Sequence, residues 1–220
     1  MVTSTLDLVR RLSHGPLPSD RALVSPSRQA EVAQAYADLP LMDEPRRYIW
    51  RAMAREVERQ ADVLESHGFE ITSSPDDPYG GSARAMFESV DHRHIAVLDT
   101  ATTGGHPVWT DEENNLFRAV HDVFGHYAAQ RGFDRHGEEA AYRRHHLMFS
   151  GVARLAMATE TRGQTAALIA TGDFQAEKIA LLPRHMIRDT YLAPVGIVEV
   201  HAALLHSQTT EIPVDFTVVG

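Results

Sequence analysis

Residues 118–126 read Arg-Ala-Val-His-Asp-Val-Phe-Gly-His, and residues 159–164 read Thr-Glu-Thr-Arg-Gly-Gln. The first stretch carries two imidazoles and a carboxylate, from His121, Asp122 and His126. The second places a carboxylate, a guanidinium and a carboxamide at alternate positions of an alanine-rich, apolar segment. Charged groups are rarely buried in such a segment unless they are paired or bind a metal. We therefore expect the rest of the chain to position these two segments.

The composition limits the class of protein and of site. A chain of 220 residues suffices for one sizeable core, and we expect a single catalytic domain over residues 1–220. The formal net charge of −9, without a basic run, argues against nucleic acid as a partner. The chain has 13 histidines and no cysteine, which leaves His, Asp and Glu as the strong metal ligands.

The chain carries no pattern typical of a targeting signal or a membrane segment. Its first residues contain no apolar run long enough for a signal peptide, and no segment is apolar over the length that a membrane span requires. We expect a cytoplasmic protein without a membrane partner. The sequence leaves self-association open.

Hydrophobic periodicity predicts a mostly α fold (α+β): one helical domain with a few short strands and a metal site between central helices. We expect residues 1 to about 26 to be irregular, because prolines stand at positions 16, 18 and 26. Trp50 and Met53 are candidates for the core. The predicted helices cover 28–38 (capped by Ser27), 43–67, 83–90 (capped by Ser82), 110–130, 138–170 (broken near 150), 173–182 and 195–206, and the predicted strands cover 69–72, 94–98 and 211–219.

The helix that carries the first motif should begin at Thr110, which forms a capping box with Glu113. On this helix His121 and His126 are five residues apart, about 140° around an ideal α-helix, and do not share a face. A turn loosened at Gly125 would bring both imidazoles inward.

The HDVFGH motif followed by Thr159-Glu160 resembles the metal-binding signature of the pterin-dependent aromatic amino acid hydroxylases. The resemblance implies that His121, His126 and Glu160 bind Fe(II) as a 2-His-1-carboxylate facial triad, with positions left open for dioxygen and substrate. It also implies a pterin as electron source. The wider run from 77 to 164 is similar to uncharacterised proteins of bacteriophages and bacteria, which implies no activity.

Several polar residues around the triad are candidates for catalysis or substrate binding. Asp122 could accept a proton from a ligand imidazole or act as a base, and Arg162 and Gln164 could anchor a substrate carboxylate or amide. Arg162 could instead form a structural ion pair with Glu160.

A second polar cluster lies on the helix after residue 138. Glu139, Tyr142 and His146 share one face of that helix, and Glu138, Tyr142 and His145 share another. One face could line the substrate pocket or supply the ligands of a second metal, with Glu139 as a catalytic residue and Tyr142 and His146 as substrate contacts. The other interpretation is a polar helix surface.

Three functions remain open from the sequence. The first is a non-haem Fe(II) oxygenase that acts with dioxygen on a small amino-acid-like or aromatic substrate. The second keeps the residues but changes the reaction: a zinc hydrolase with Glu139 or Asp122 as base, or a His-Asp phosphohydrolase that also uses His94 and Asp173. The third is a non-enzymatic helical binding protein whose polar groups form a buried network.

Overall fold

The fold is mostly α-helical, as predicted, in a computed structural model that describes residues 4–13 and 24–187. Residues 195–206 and 211–219, for which a helix and a strand are predicted, lie outside this part. The helices are α1 (Thr5–Leu12), α2 (Pro26–Ala37), α3 (Arg47–Ser66), α4 (Ala83–Asp91), α5 (Asp111–His121), α6 (Arg135–His145), α7 (Ala153–Met157), α8 (Gln164–Thr171) and α9 (Arg184–Ile187), and the strands are β1 (Glu70–Ser74) and β2 (His94–Leu98).

The long helix α3 forms the centre of the core. Trp50, Met53, Val57 and Leu64 recur at helical spacing along it, and none of these side chains is exposed. This buried face packs against α5 and α7, the helices that lead into the two motifs. The prediction that Trp50 and Met53 belong to the core is confirmed.

The two strands form a small parallel sheet, in which Ile71 pairs with Ile95. Helix α4 connects them and is capped by Ser82, whose side chain accepts a hydrogen bond from the Ala85 backbone N–H. No helix within residues 4–13 and 24–187 is both long enough and apolar enough to cross a membrane.

The N-terminal prediction is wrong in part. Residues 5–12 form α1, because the Ser4 side chain accepts a hydrogen bond from the Asp7 backbone N–H and caps the helix. Helix α2 begins at Pro26, with Ser25 rather than Ser27 as its cap.

One predicted helix boundary and one predicted helix are also wrong. Helix α6 begins at Arg135 rather than at Glu138, because Asp134 Oδ1 accepts hydrogen bonds from the backbone N–H groups of the next turn. Residues 173–182, predicted to be a helix, form no helix: Ile179 exchanges backbone hydrogen bonds with residues 41 and 43 and is fully buried. Long-range pairing of this kind outweighs local helical preference.

Candidate metal centre

A π-helical turn brings the two motif histidines together. Helix α5 starts at the predicted capping box of Thr110 and Glu113 and continues into π-helix over Asp122–Tyr127. In this geometry the hydrogen bonds run between residues five apart, so His121 and His126 stand one above the other. Their ring centroids are 5.1 Å apart. The separation of about 140° expected for an α-helix therefore does not hold.

Gly125 allows this turn to pack closely. A Cβ atom at Gly125 would lie 3.1 Å from both Cε1 and Nδ1 of the His121 ring, and 3.1 Å from the Cβ of Ala141 on α6. All three distances are shorter than an ordinary van der Waals contact, so a side chain here would displace the imidazole or α6. Gly125 thus leaves free the space beside the His121 ring that a side chain would occupy.

The third group beside the two histidines is Glu138, from the first turn of α6. One ligand atom each from His121, His126 and Glu138 lie within 4.8 Å of one another. Nε2 of His126 and Oε2 of Glu138 are 3.6 Å apart. An ion held by bonds of about 2.1 Å places neighbouring ligand atoms about 3 Å apart, so the three groups would have to draw closer together around an ion.

Both imidazoles can offer a lone pair to an ion. Nδ1 of His126 donates to the Arg131 carbonyl oxygen over 3.1 Å, which leaves Nε2 unprotonated in the neutral ring. Nδ1 of His121 contacts Nδ1 of His145 at 3.1 Å. Nε2 of His121 is buried and has no hydrogen-bond partner among the described residues. Buried nitrogens are seldom left in this state without a ligand.

The charges around the two histidines differ. Burial, together with His126 and His145, holds the pKa of His121 well below its usual range, so its ring stays neutral. Burial also lowers the pKa of His126, but the Glu138 and Asp122 carboxylates outweigh it and raise that pKa to about 9. Without metal, His126 therefore holds a proton at neutral pH, and a cation bound beside Glu138 would replace it.

Asp122 is a carboxyl group without a fixed partner. Burial raises its pKa to about 7, with the Glu138 carboxylate acting in the same direction. None of the described residues hydrogen-bonds to its side chain, and the residue is partly exposed. A group of this pKa exchanges protons near neutral pH and suits general acid–base work.

Glu160, predicted to be the third ligand of the triad, lies elsewhere. Its Oε1 accepts hydrogen bonds from Trp50 Nε1 and, over 3.5 Å, from His106 Nε2. The second π-helical turn, Ala158–Gly163, points its side chain toward α3 and the loop before α5. Among the described residues, the structure therefore does not bring Glu160 to His121 and His126, and the carboxylate grouped with these two histidines is that of Glu138.

His106, Glu160 and Glu177 form a second group whose ligand atoms lie within 4.8 Å of one another. Nδ1 of His106 accepts hydrogen bonds from the backbone N–H groups of Val108 and Trp109, at 3.2 and 3.0 Å. Its proton must therefore sit on Nε2, where it faces Glu160. Burial and Glu160 raise the pKa of Glu177 to about 7. The neutral ring of His106 therefore offers no lone pair at Nε2, whereas the neutral ring of His126 does. This difference favours the first group as a metal site.

Glu139 and Arg162, predicted to be catalytic, pair with each other. Nε and Nη2 of Arg162 each donate to a different Glu139 oxygen over 2.9 Å, and Nη1 donates to the Met186 carbonyl. Arg143 Nε also donates to Glu139 over 2.7 Å. Both side chains are thus held in a buried ion pair, and both line a cavity together with Glu138. Arg162 pairs with Glu139 and not with Glu160, which was the alternative ion pair.

The predicted substrate contacts are also engaged in the interior. The Tyr142 hydroxyl donates to the Ile187 carbonyl oxygen over 2.9 Å, and its ring lies 5.1 Å from that of His146. The Gln164 side chain hydrogen-bonds to Glu177. None of the three belongs to the metal-ligand group. Nδ1 of His146 is buried and has no hydrogen-bond partner among the described residues.

A His-Asp phosphohydrolase site finds no support in the geometry. Both ring nitrogens of His94 contact hydroxyl groups, Nε2 that of Thr72 at 3.2 Å and Nδ1 that of Ser89 at 3.1 Å. Asp173 is exposed after α8. Neither residue joins His121 in a ligand group within the described part of the chain.

Comparison with known proteins adds no relative: no protein-family model, curated protein or solved structure matches the chain significantly. The resemblance to the aromatic amino acid hydroxylases therefore stays a prediction.

Proposed function

We propose that this chain is a non-haem Fe(II) oxygenase whose metal is held by His121, His126 and Glu138. One observation carries the proposal: His121, His126 and Glu138 each place one ligand atom within 4.8 Å of those of the other two. In addition, Nε2 of His121 is buried and lacks a hydrogen-bond partner among the described residues. Two neutral imidazoles and one carboxylate are the ligand set of non-haem iron oxygenases. An ion bound by these three residues would keep exchangeable positions and would supply dioxygen activation.

The residues around the site have separate tasks in this proposal. Glu138 would be the third ligand, and its negative charge would partly balance that of the ion. Asp122, with a pKa of about 7, accepts or returns a proton during turnover. The substrate class, a small amino-acid-like or aromatic molecule, comes from the resemblance in the HDVFGH motif, as does a possible pterin reductant.

Oxygen uptake tests this function. The Fe(II)-loaded chain should consume dioxygen in a substrate-dependent manner when aromatic or aliphatic amino acids are supplied with a reductant, and His126→Ala should not. Iron that binds without any substrate-dependent uptake, across reductants including a tetrahydropterin, would refute the oxygenase and leave only the metal site.

A zinc hydrolase is the second candidate, and Asp122 is the observation that favours it. A base with a pKa near 7 beside a metal-bound water is the arrangement that hydrolysis requires. With zinc bound, hydrolysis of activated esters should rise with pH and level off above about pH 7. Asp122→Asn should remove that limb of the profile. Equal rates for the two proteins at every pH would exclude Asp122 as the base.

A further inference from the structure

Behind the candidate ligand His121 lies a short chain of buried polar groups. Nδ1 of His121 contacts Nδ1 of His145 at 3.1 Å, and Nε2 of His145 contacts Oε1 of Gln60 at 2.7 Å. The His145 side chain is fully buried on α6, and Gln60 is 7% exposed on α3. The chain thus connects three helices, and α3 itself supplies no metal ligand.

The hydrogen atoms in this chain follow from its chemistry. An amide oxygen can only accept, so Nε2 of His145 carries the proton. The neighbouring rings of His145 are those of Phe124 and Phe149, and an imidazolium there would be uncompensated. Neutral His145 therefore accepts at Nδ1. His121 must then donate from Nδ1, and its Nε2 keeps the lone pair.

We infer that Gln60 and His145 are positioning residues that hold His121 in the only neutral tautomer able to bind a metal through Nε2. The inference deepens the proposed function and rests on it for its purpose, although the tautomer itself is a property of the metal-free chain. Hydrogen bonds to the far nitrogen of a ligand imidazole fix ring orientation and tautomer in metal sites. Here a second histidine and an amide carry out that task.

The direction of one amide group decides the outcome. If Gln60 were turned so that its nitrogen donated to His145, every proton in the chain would shift, and Nε2 of His121 would be protonated and closed to metal. Nε2 of Gln60 has no partner among the described residues. Among the described residues, the contact of Oε1 with His145 is therefore what fixes the orientation of the Gln60 amide.

The first test reads the tautomers in the metal-free chain. Long-range 1H–15N correlation spectra of protein labelled at histidine distinguish protonated from unprotonated ring nitrogens. We expect His121 to be protonated at Nδ1 only and His145 at Nε2 only. A proton on Nε2 of His121 would overturn the inference. Because no metal is present, this result stands apart from whether the chain binds iron.

The second test measures metal affinity by titration with Co(II) or Zn(II). Gln60→Met keeps length and volume but removes the acceptor, and should weaken binding by about 10–100-fold, the usual effect of losing such a partner. Gln34→Met makes the same change at an exposed glutamine of α2, whose Nε2 donates to Asp38 Oδ1 over 2.8 Å, and should bind as the parent does.

Circular dichroism establishes that both variants are folded. Equal affinity of Gln60→Met and the parent, or unchanged tautomers in that variant, would contradict the inference. Failure of the parent itself to bind metal would refute the proposed function and leave the tautomer result to decide the inference alone.

Discussion

Glu138→Gln tests the pairing of Glu138 with His126 in the metal-free protein. Their nearest side-chain atoms are 3.6 Å apart, and the carboxylate is the main cause that raises the pKa of His126 against burial. Glutamine keeps the shape and removes the charge. Burial then acts with less opposition, and we expect the pKa of His126 to fall from about 9 to below its ordinary value of 6.5.

The magnitude follows from the proton affinity. A pKa raised from 6.5 to about 9 corresponds to about 3 kcal/mol of extra stability for the folded state. Because the folded pKa is the higher one, this stability is fully present below pH 6.5 and is lost as the pH rises through about 9. Glu138→Gln should therefore lower the free energy of unfolding by about 3 kcal/mol at pH 6 and by much less at pH 10.

The assay combines NMR titration of the histidine ring protons with urea unfolding at the two pH values, both in chelator. Glu160→Gln is the matched control, since its carboxylate contacts Trp50 and His106 instead, and it should leave the pKa of His126 unchanged. An unaltered His126 pKa in Glu138→Gln, or equal destabilisation at pH 6 and pH 10, would refute the pairing.

Three further predictions follow from the same contacts. Gly125→Ala adds a Cβ 3.1 Å from the His121 ring and should cost about 1–3 kcal/mol of stability, with weaker binding in a Zn(II) titration; unchanged affinity would contradict the role given to Gly125. Metal affinity should fall by about tenfold per pH unit below pH 9, because each ion displaces one proton from His126, and titrations between pH 6.5 and 9 would detect a flat profile. Arg162→Met should destabilise the fold by about 1–3 kcal/mol in urea unfolding, because Glu139 loses its two hydrogen bonds from Arg162 and keeps the one from Arg143, while a Zn(II) titration should show unchanged affinity; a variant as stable as the parent would contradict a structural role for this ion pair.

Much of the secondary structure was predictable because its signals are local. The capping box at Thr110 and the cap at Ser82 lie within four residues of the groups that they bond, and the apolar stripe of α3 repeats over many turns. The extended segment around Ile179 was not predictable in this way. Its hydrogen bonds join residues more than 130 positions away along the chain, and no local pattern records them.

The candidate site was predictable only in part. His121 and His126 stand in a recognisable motif, but their alignment depends on a π-helical turn, which propensities do not foresee. The sequence offered Glu138 and Glu139 side by side without a reason to choose between them. Packing of the first turn of α6 decides it, because it turns Glu138 to His126 and Glu139 to Arg162.

The residues that sequence reasoning missed share one feature. Each meets partners that are distant along the chain. Gln60 contacts His145, 85 positions away, and His106 contacts Glu160, 54 positions away. Glu177 lies in one group with His106 and Glu160. His106 does carry a local signal, since its ring accepts from two backbone N–H groups just after it. That signal indicates a capped turn and a protonated Nε2 rather than a ligand.

The measurement that tests the metal centre most directly is electron paramagnetic resonance of the chain loaded anaerobically with Fe(II) and exposed to nitric oxide. We expect a high-spin ferrous–nitrosyl signal of about one iron per chain, because three protein ligands leave positions open for nitric oxide. Glu138→Ala should lose this signal and Glu160→Ala should retain it. A signal that survives Glu138→Ala and disappears with Glu160→Ala, or no signal from the parent chain, would contradict a centre built from His121, His126 and Glu138.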